Sequence, residues 1–163
     1  MRSVVSEAKP KCTGGQRPGR LVVVRGMPTA TRTTARALLV GGVRCDAASL
    51  TKRAQHDKTR LSFGIVTPKD FFALGEKEVR YRYLVDALVK ARPGYEKISH
   101  SYVWPRVAAG EAYNERAAWD EAVAAGLLTK AQADQMRRQD SGYLGWRISV
   151  SERGTWEFFI AGD

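Results

Sequence analysis

His100 is the residue of this sequence best suited to acid–base chemistry. It lies between Ser99 and Ser101, and an imidazole that titrates near neutral pH can serve as a general base. Neighbouring residues on a strand point to opposite faces, so this spacing places neither serine beside the ring. The sequence offers His100 as a weak general-base candidate, with a half-buried structural role as the alternative. The other histidine, His56, is expected to lie in solvent.

Several carboxylates could do acid–base work or hold a metal. Glu111 and Glu115 are one helical turn apart, and Asp120 and Glu121 are adjacent. Such work needs converging ligands or an apolar pocket. The sequence indicates neither, and we therefore expect these acids to be charges on helix surfaces.

Other recognisable catalytic motifs are missing. The chain has no P-loop, no dinucleotide-binding glycine pattern, no nucleophile elbow and no HExxH motif. Its two histidines and its two cysteines, Cys12 and Cys45, are too few and too scattered for a multi-ligand metal site. We predict no cofactor and no metal, which favours a non-catalytic protein. A small enzyme that uses His100 as its base is a weaker alternative.

Aromatic residues are concentrated near the C-terminus. Trp156 and Phe158 alternate with polar residues, whereas Phe159 falls on the opposite side of the same predicted strand. A strand that is apolar on both sides needs a cover, which favours a partner protein. The alternatives are core packing and stacking on nucleic acid bases. The candidate interface residues are Trp146, Trp156, Phe159 and Trp104.

Periodicity places these residues on short elements. A helix is predicted over 76–92, with a solvated ladder of alternating charges (Glu78, Arg82, Asp86, Lys90), and one strand over 95–104. Helices are also predicted after Thr67, over 111–125 and over 130–139, the last beginning with a capping box of Thr129 and Gln132. A hairpin ends the chain. The predicted class is α+β: a small antiparallel sheet with a C-terminal β-hairpin, covered by three to four helices, behind a basic disordered N-terminal leader.

Charge divides the chain near residue 60. Residues 1–60 contain thirteen Lys or Arg and three acids, whereas residues 61–163 contain fourteen of each sign and all the aromatic residues. The whole chain carries +10. We predict a leader over 1–55 and one globular domain over 56–163.

The composition of the leader is typical of an organellar transit peptide. Residues 8–44 contain no acid and are rich in Arg, Thr and Ala. A weakly amphipathic helix is predicted over 30–40, ended by Gly41 and Gly42, with cleavage after about Cys45. Met27 could be the true start. A disordered basic tail of a bacterial protein, or an arm that grips RNA, is the alternative.

Two functions follow from these two interpretations. The first is a non-catalytic accessory subunit of a mitochondrial complex of the respiratory-chain or ATP-synthase type, in the matrix or on the matrix face of the inner membrane, with other subunits as partners. The second is a mitochondrial or bacterial ribosomal or RNA-binding protein, in the bacterial case cytoplasmic. Apolar runs are too short to span a membrane. The RNA-binding candidates are Arg17, Arg20, Arg25, Arg32 and Arg36.

Overall fold

A computed structural model describes residues 12–16, 19–73 and 80–162. Arg17, Glu76 and Glu78, for which the sequence makes predictions, lie outside the described residues, as does the first part of the predicted leader, residues 1–11. The described helices are α1 (Thr29–Val43), α2 (Ala47–Asp57), α3 (Pro68–Ala73), α4 (Arg80–Lys90), α5 (Arg116–Ala124) and α6 (Lys130–Gln139). The strands are β1 (Gly94–Glu96), β2 (Ser101–Trp104), β3 (Arg147–Ser151) and β4 (Trp156–Ile160).

The four strands form one antiparallel sheet in the order β1-β2-β3-β4. The predicted α+β class, with its small antiparallel sheet and C-terminal hairpin, is confirmed. The outer edge of β4 is occupied by Arg60, whose backbone N–H donates to Glu157 O at 2.9 Å and whose O accepts from Phe159 N at 3.0 Å. Six helices are described rather than three or four because α1 and α2 form within the predicted leader.

A bulge in β4 changes which residues face the core. Phe159 pairs with Ile148, and Trp156 pairs with Val150, so Glu157 is an extra residue between them. The prediction that Phe159 lies on the face opposite Trp156 was wrong. The extra residue brings both rings to one face, and the alternating pattern in the sequence cannot show where such an insertion occurs.

The segment 95–104 is a hairpin rather than one strand. β1 and β2 pair in the register Tyr95–Tyr102, and residues 97–100 form the turn between them. His100 lies in this turn with a positive φ of 52°, so the prediction that it is a strand residue was wrong. A turn without Gly, Asn or Pro lacks the usual sequence signal.

The first two helices belong to the main hydrophobic core. Leu38 of α1 and Leu50 of α2 are buried in the same cluster as Leu84, Trp104 and Trp156. Residues on both sides of the change of composition near residue 60 thus belong to one hydrophobic cluster.

Two local predictions in these helices were wrong. Helix α1 continues through Gly41 and Gly42, which allow close packing: a Cβ on Gly41 would lie 2.8 Å from Leu50, and one on Gly42 would lie 3.0 Å from Val85. In α4, Asp86 is 1 % exposed rather than solvated, with Lys90 Nζ 3.1 Å away.

A second cluster lies around α5 and α6. Trp119, Val107 and Tyr143 are buried there. The predicted capping box at the start of α6 is confirmed, since Thr129 and Gln132 exchange side-chain and backbone hydrogen bonds. The helix predicted over 111–125 is a short 3-10 turn, Ala112–Asn114, followed by α5.

Candidate functional site

His100 is part of a hydrogen-bonded cluster at the turn end of the sheet. The Tyr95 hydroxyl donates to Glu152 Oε1 at 2.7 Å, and His100 Nδ1 lies 3.2 Å from the same hydroxyl oxygen. Because the hydroxyl has one proton, which goes to Glu152, Nδ1 must carry the proton of the second hydrogen bond. In the neutral ring, this arrangement places the lone pair on Nε2.

No nucleophile is positioned for that base within the described residues. Ser101 is buried, and its hydroxyl lies within hydrogen-bonding distance of Ser99 O and of the Glu157 carboxylate. The hydrogen bond to Glu152 raises the pKa of Tyr95, which keeps the phenol protonated. A shallow pocket of about 400 Å³ is lined by Ser99, His100, Ser151, Glu152 and Arg153. The cluster can bind polar groups, but it shows no catalytic constellation.

Two of the four predicted surface acids, Glu115 and Glu121, pair with arginine. Arg106 Nε donates to Glu121 Oε2 at 2.8 Å, and its Nη1 contacts Glu115. Glu121 also pairs with Arg92 at 3.0 Å. Among the described residues, no group of three or more His, Cys, Asp or Glu could hold a metal ion.

The aromatic interface candidates lie in the core of this chain. Trp104, Trp156 and Phe159 are each 0 % exposed. Trp146 is half-buried and packs against Phe159 with ring centroids 4.6 Å apart. Side chains with no exposed surface offer no contact to a partner in this conformation. The anchoring role stays a prediction, and packing within the chain explains these residues without a partner.

Helix α1 is held on the β3–β4 turn by two buried threonines. Thr31 Oγ1 donates to Ser151 O at 2.8 Å, and Thr34 Oγ1 donates to Gly154 O at 2.6 Å. Arg53 of α2 joins this contact, with Nη2 2.8 Å from both Thr34 Oγ1 and Gly154 O. These bonds fix the α1 segment against the C-terminal hairpin, more than a hundred residues away in the chain.

The Asp57 carboxylate extends the same network. Its side chain is 6 % exposed and accepts hydrogen bonds from Arg53 Nε at 2.7 Å and from Trp156 N at 2.8 Å. The His56 ring, 84 % exposed, lies 2.7 Å from the other oxygen, so His56 is in solvent as predicted. Burial is the largest single effect and acts to raise the pKa of Asp57. The hydrogen bonds from His56, Trp156 and Arg53 outweigh it and lower that pKa.

Several arginines of the first 44 residues lie at the surface. Arg36 is exposed on α1 and Arg44 is exposed directly after the last residue of α1, and neither has an ion pair within the described part of the chain. Arg32 is half-buried and donates to Thr29 Oγ1 at 3.3 Å. We call the following side chains the cationic surface: Arg20, Arg25, Arg32, Arg36 and Arg44.

An exposed apolar loop lies between α2 and α3 and was not predicted from the sequence. At residues 62–66, which we call the loop tip, Ile65 is fully exposed (108 %), Phe63 is 49 % exposed and Val66 is 36 % exposed. Single exposed apolar residues are ordinary, but three within four positions are not. The available signal was an apolar run interrupted by Gly64 and bracketed by basic residues.

Comparisons with known proteins do not identify a family. No protein-family model, curated protein or solved structure matches the chain. None of the helices in the described residues is both long and apolar enough to cross a bilayer.

Proposed function

We propose that this chain is a non-catalytic binding protein whose cationic surface contacts a phosphate-bearing polyanion. The observation that carries the proposal is the packing of α1. Its residues Ala35 and Leu38 belong to the main hydrophobic core, and Thr31 and Thr34 are buried on the same helix. The arginines of this segment therefore belong to the folded protein.

The charge balance of the N-terminal third supports this proposal. The described residues up to position 60 contain two acids, Asp46 and Asp57, of which Asp57 is buried and already engaged. The same residues contain nine bases: Arg20, Arg25, Arg32, Arg36, Arg44, Lys52, Arg53, Lys58 and Arg60. Arginine suits phosphate because its planar guanidinium can donate two parallel hydrogen bonds.

The spacing on α1 also suits an extended anion. At a rise of about 1.5 Å per residue, Arg32 and Arg36 are about 6 Å apart along the helix axis, and Arg36 and Arg44 are about 12 Å apart. Several phosphates could therefore be contacted from one helix.

Of the two functions predicted from sequence, RNA binding is compatible with this proposal, and the mitochondrial accessory subunit is not supported by it. The RNA-binding alternative also depends on contacts between arginine and phosphate, but here a folded helix, and not a disordered arm, presents the arginines. The mitochondrial accessory subunit stays a prediction. Its aromatic anchors are buried, and cleavage after Cys45 would remove a core helix.

The cellular compartment also stays a prediction. One disulfide is relevant to it. Cys12 and Cys45 form a disulfide with a Cα–Cα distance of 5.7 Å. Disulfides persist in oxidising compartments and are rare in reducing ones. The two predicted locations, the mitochondrial matrix and the bacterial cytoplasm, stay predictions. We favour an oxidising compartment.

Chromatography on phosphocellulose tests the proposal. The double variant Arg36→Gln/Arg44→Gln should elute at lower salt than the wild type, because polyanion binding weakens as phosphate contacts are lost. The matched control is Lys130→Gln/Arg138→Gln on α6, which has the same net charge and alters two other exposed cations. Equal elution of the two double variants would show that total charge, not the cationic surface, governs binding.

A further inference from the structure

We infer that the loop tip inserts into the surface of an anionic lipid bilayer. This inference rests on the proposed function, because it names the lipid headgroups as the phosphate-bearing polyanion. It adds an apolar contact that electrostatic attraction alone does not provide.

The base of the loop is fixed to the fold on both sides. Thr59 Oγ1 donates to Trp156 O at 2.7 Å, and Leu61 is 5 % exposed in the core. On the other side, Thr67 precedes α3, with its Oγ1 accepting from Asp70 N at 3.1 Å, and Phe71 of α3 is buried in the main core. The chain between them leaves the protein surface and returns. The apolar side chains of the loop tip are thus presented by an anchored loop.

The cations around the loop tip match an anionic surface. Lys58, Arg60 and Lys69 flank it in sequence and are exposed, and the Arg147 guanidinium lies 5.8 Å from the centre of the Phe63 ring. The one exposed acid among residues 58–70 is Asp70. Basic side chains near anionic lipids and apolar side chains below the headgroups together provide stable attachment, which neither gives alone.

Lipid explains this chemistry better than RNA does. Phe63 could stack on a base, but Ile65 and Val66 have neither rings nor hydrogen-bonding groups for one.

Co-sedimentation of the full chain with vesicles tests the inference. Binding is expected to vesicles of phosphatidylcholine and phosphatidylserine, and not to pure phosphatidylcholine. Ile65→Asp should weaken that binding by about ten-fold or more, because a carboxylate cannot enter the apolar layer. The matched control is Ile98→Asp: Ile98 is 92 % exposed in the β1–β2 turn, and its replacement makes the same change in charge. Thermal melting verifies that both variants fold.

Phosphocellulose elution separates failure of this inference from failure of the proposed function. In one outcome, the wild-type protein is retained on phosphocellulose and yet does not bind the mixed vesicles. That result would overturn the inference and leave the proposed function intact. Weak retention of every variant, with no vesicle binding, would overturn both. Equal losses for Ile65→Asp and Ile98→Asp would also overturn the inference. Binding to oligouridylate that exceeds vesicle binding would identify RNA as the partner instead.

Discussion

At the scale of single residues, the Asp57 carboxylate contacts three partners: Arg53, His56 and the backbone N–H of Trp156. One carboxylate joins α2, through Arg53, to the first residue of β4, through Trp156 N. Converting this carboxylate to an amide removes its charge and turns one acceptor oxygen into a donor that faces the donor group of a partner, which costs about 1 to 3 kcal/mol.

Asp57→Asn should therefore lower the free energy of unfolding by about 1 to 3 kcal/mol at neutral pH. The folded pKa of Asp57 lies below its ordinary value of 3.8, so its contribution is complete above that value and is lost as the pH falls through the folded pKa. Urea unfolding at several pH values should show the difference from wild type shrinking below about pH 4. The control is the exposed Asp120→Asn. A difference that does not change with pH would contradict the role of the charge.

Residue chemistry was only partly readable from sequence. The exposure of His56 follows from its polar neighbours, and the pairing of Thr129 with Gln132 follows from local spacing. The burial of Asp86 and of Asp57 could not be predicted, because it depends on segments that are distant in the chain.

At the scale of elements, the contact between α1 and the β3–β4 turn tests whether the N-terminal segment is structural. Gly154 has a φ of +86°, and a Cβ on it would lie 2.9 Å from the carbonyl oxygen of Ala30 in α1. Gly126 has a similar φ of +76° with nothing within 4 Å. The two glycines therefore differ in their contact with α1 and not in backbone conformation.

Gly126→Ala should cost about 1 to 2 kcal/mol, which is the cost of placing a side chain in the left-handed region. Gly154→Ala should cost roughly 2 kcal/mol more, since the new methyl group displaces α1. Urea unfolding measures both. Equal destabilisation would mean that α1 does not pack on the hairpin.

Helix and strand boundaries were predicted correctly where the local sequence pattern is strong. The C-terminal hairpin was predicted because its alternation is clear on both strands. The bulge at Glu157 was not, because one inserted residue leaves the composition of the strand unchanged. Glycines 41 and 42 suggested the end of a helix, whereas close packing against Leu50 and Val85 is what requires them.

At the scale of the whole molecule, two truncated chains separate a removable leader from a folded segment. A chain that begins at Gly19 keeps α1 and loses Cys12, and a chain that begins at Asp46 loses α1 as well. We expect the first to unfold cooperatively and the second to lack a cooperative transition, because Leu38 and Ala35 are fully buried in the main core. Circular dichroism during heating measures this. Cooperative melting of the shorter chain would support a cleavable leader.

Periodicity predicted the class of fold, whereas whole-chain composition did not show that the fold extends into the first 55 residues. Acid-poor, arginine-rich sequence is typical of targeting segments, and aromatic-poor sequence has few obvious core residues. Helix α1 nevertheless packs well with small residues, since Ala35, Thr31 and Thr34 allow it to approach the sheet closely. Small-residue packing of this kind leaves little periodic signal.

The backbone of Arg60 has a consequence for how copies of the protein behave in concentrated solution. It occupies hydrogen-bonding groups of β4 that would otherwise be open to a strand from another molecule. The opposite margin of the sheet is the three-residue β1, too short to template a long pairing. The chain should thus resist cross-β aggregation while it remains folded, even though β4 is rich in aromatic side chains.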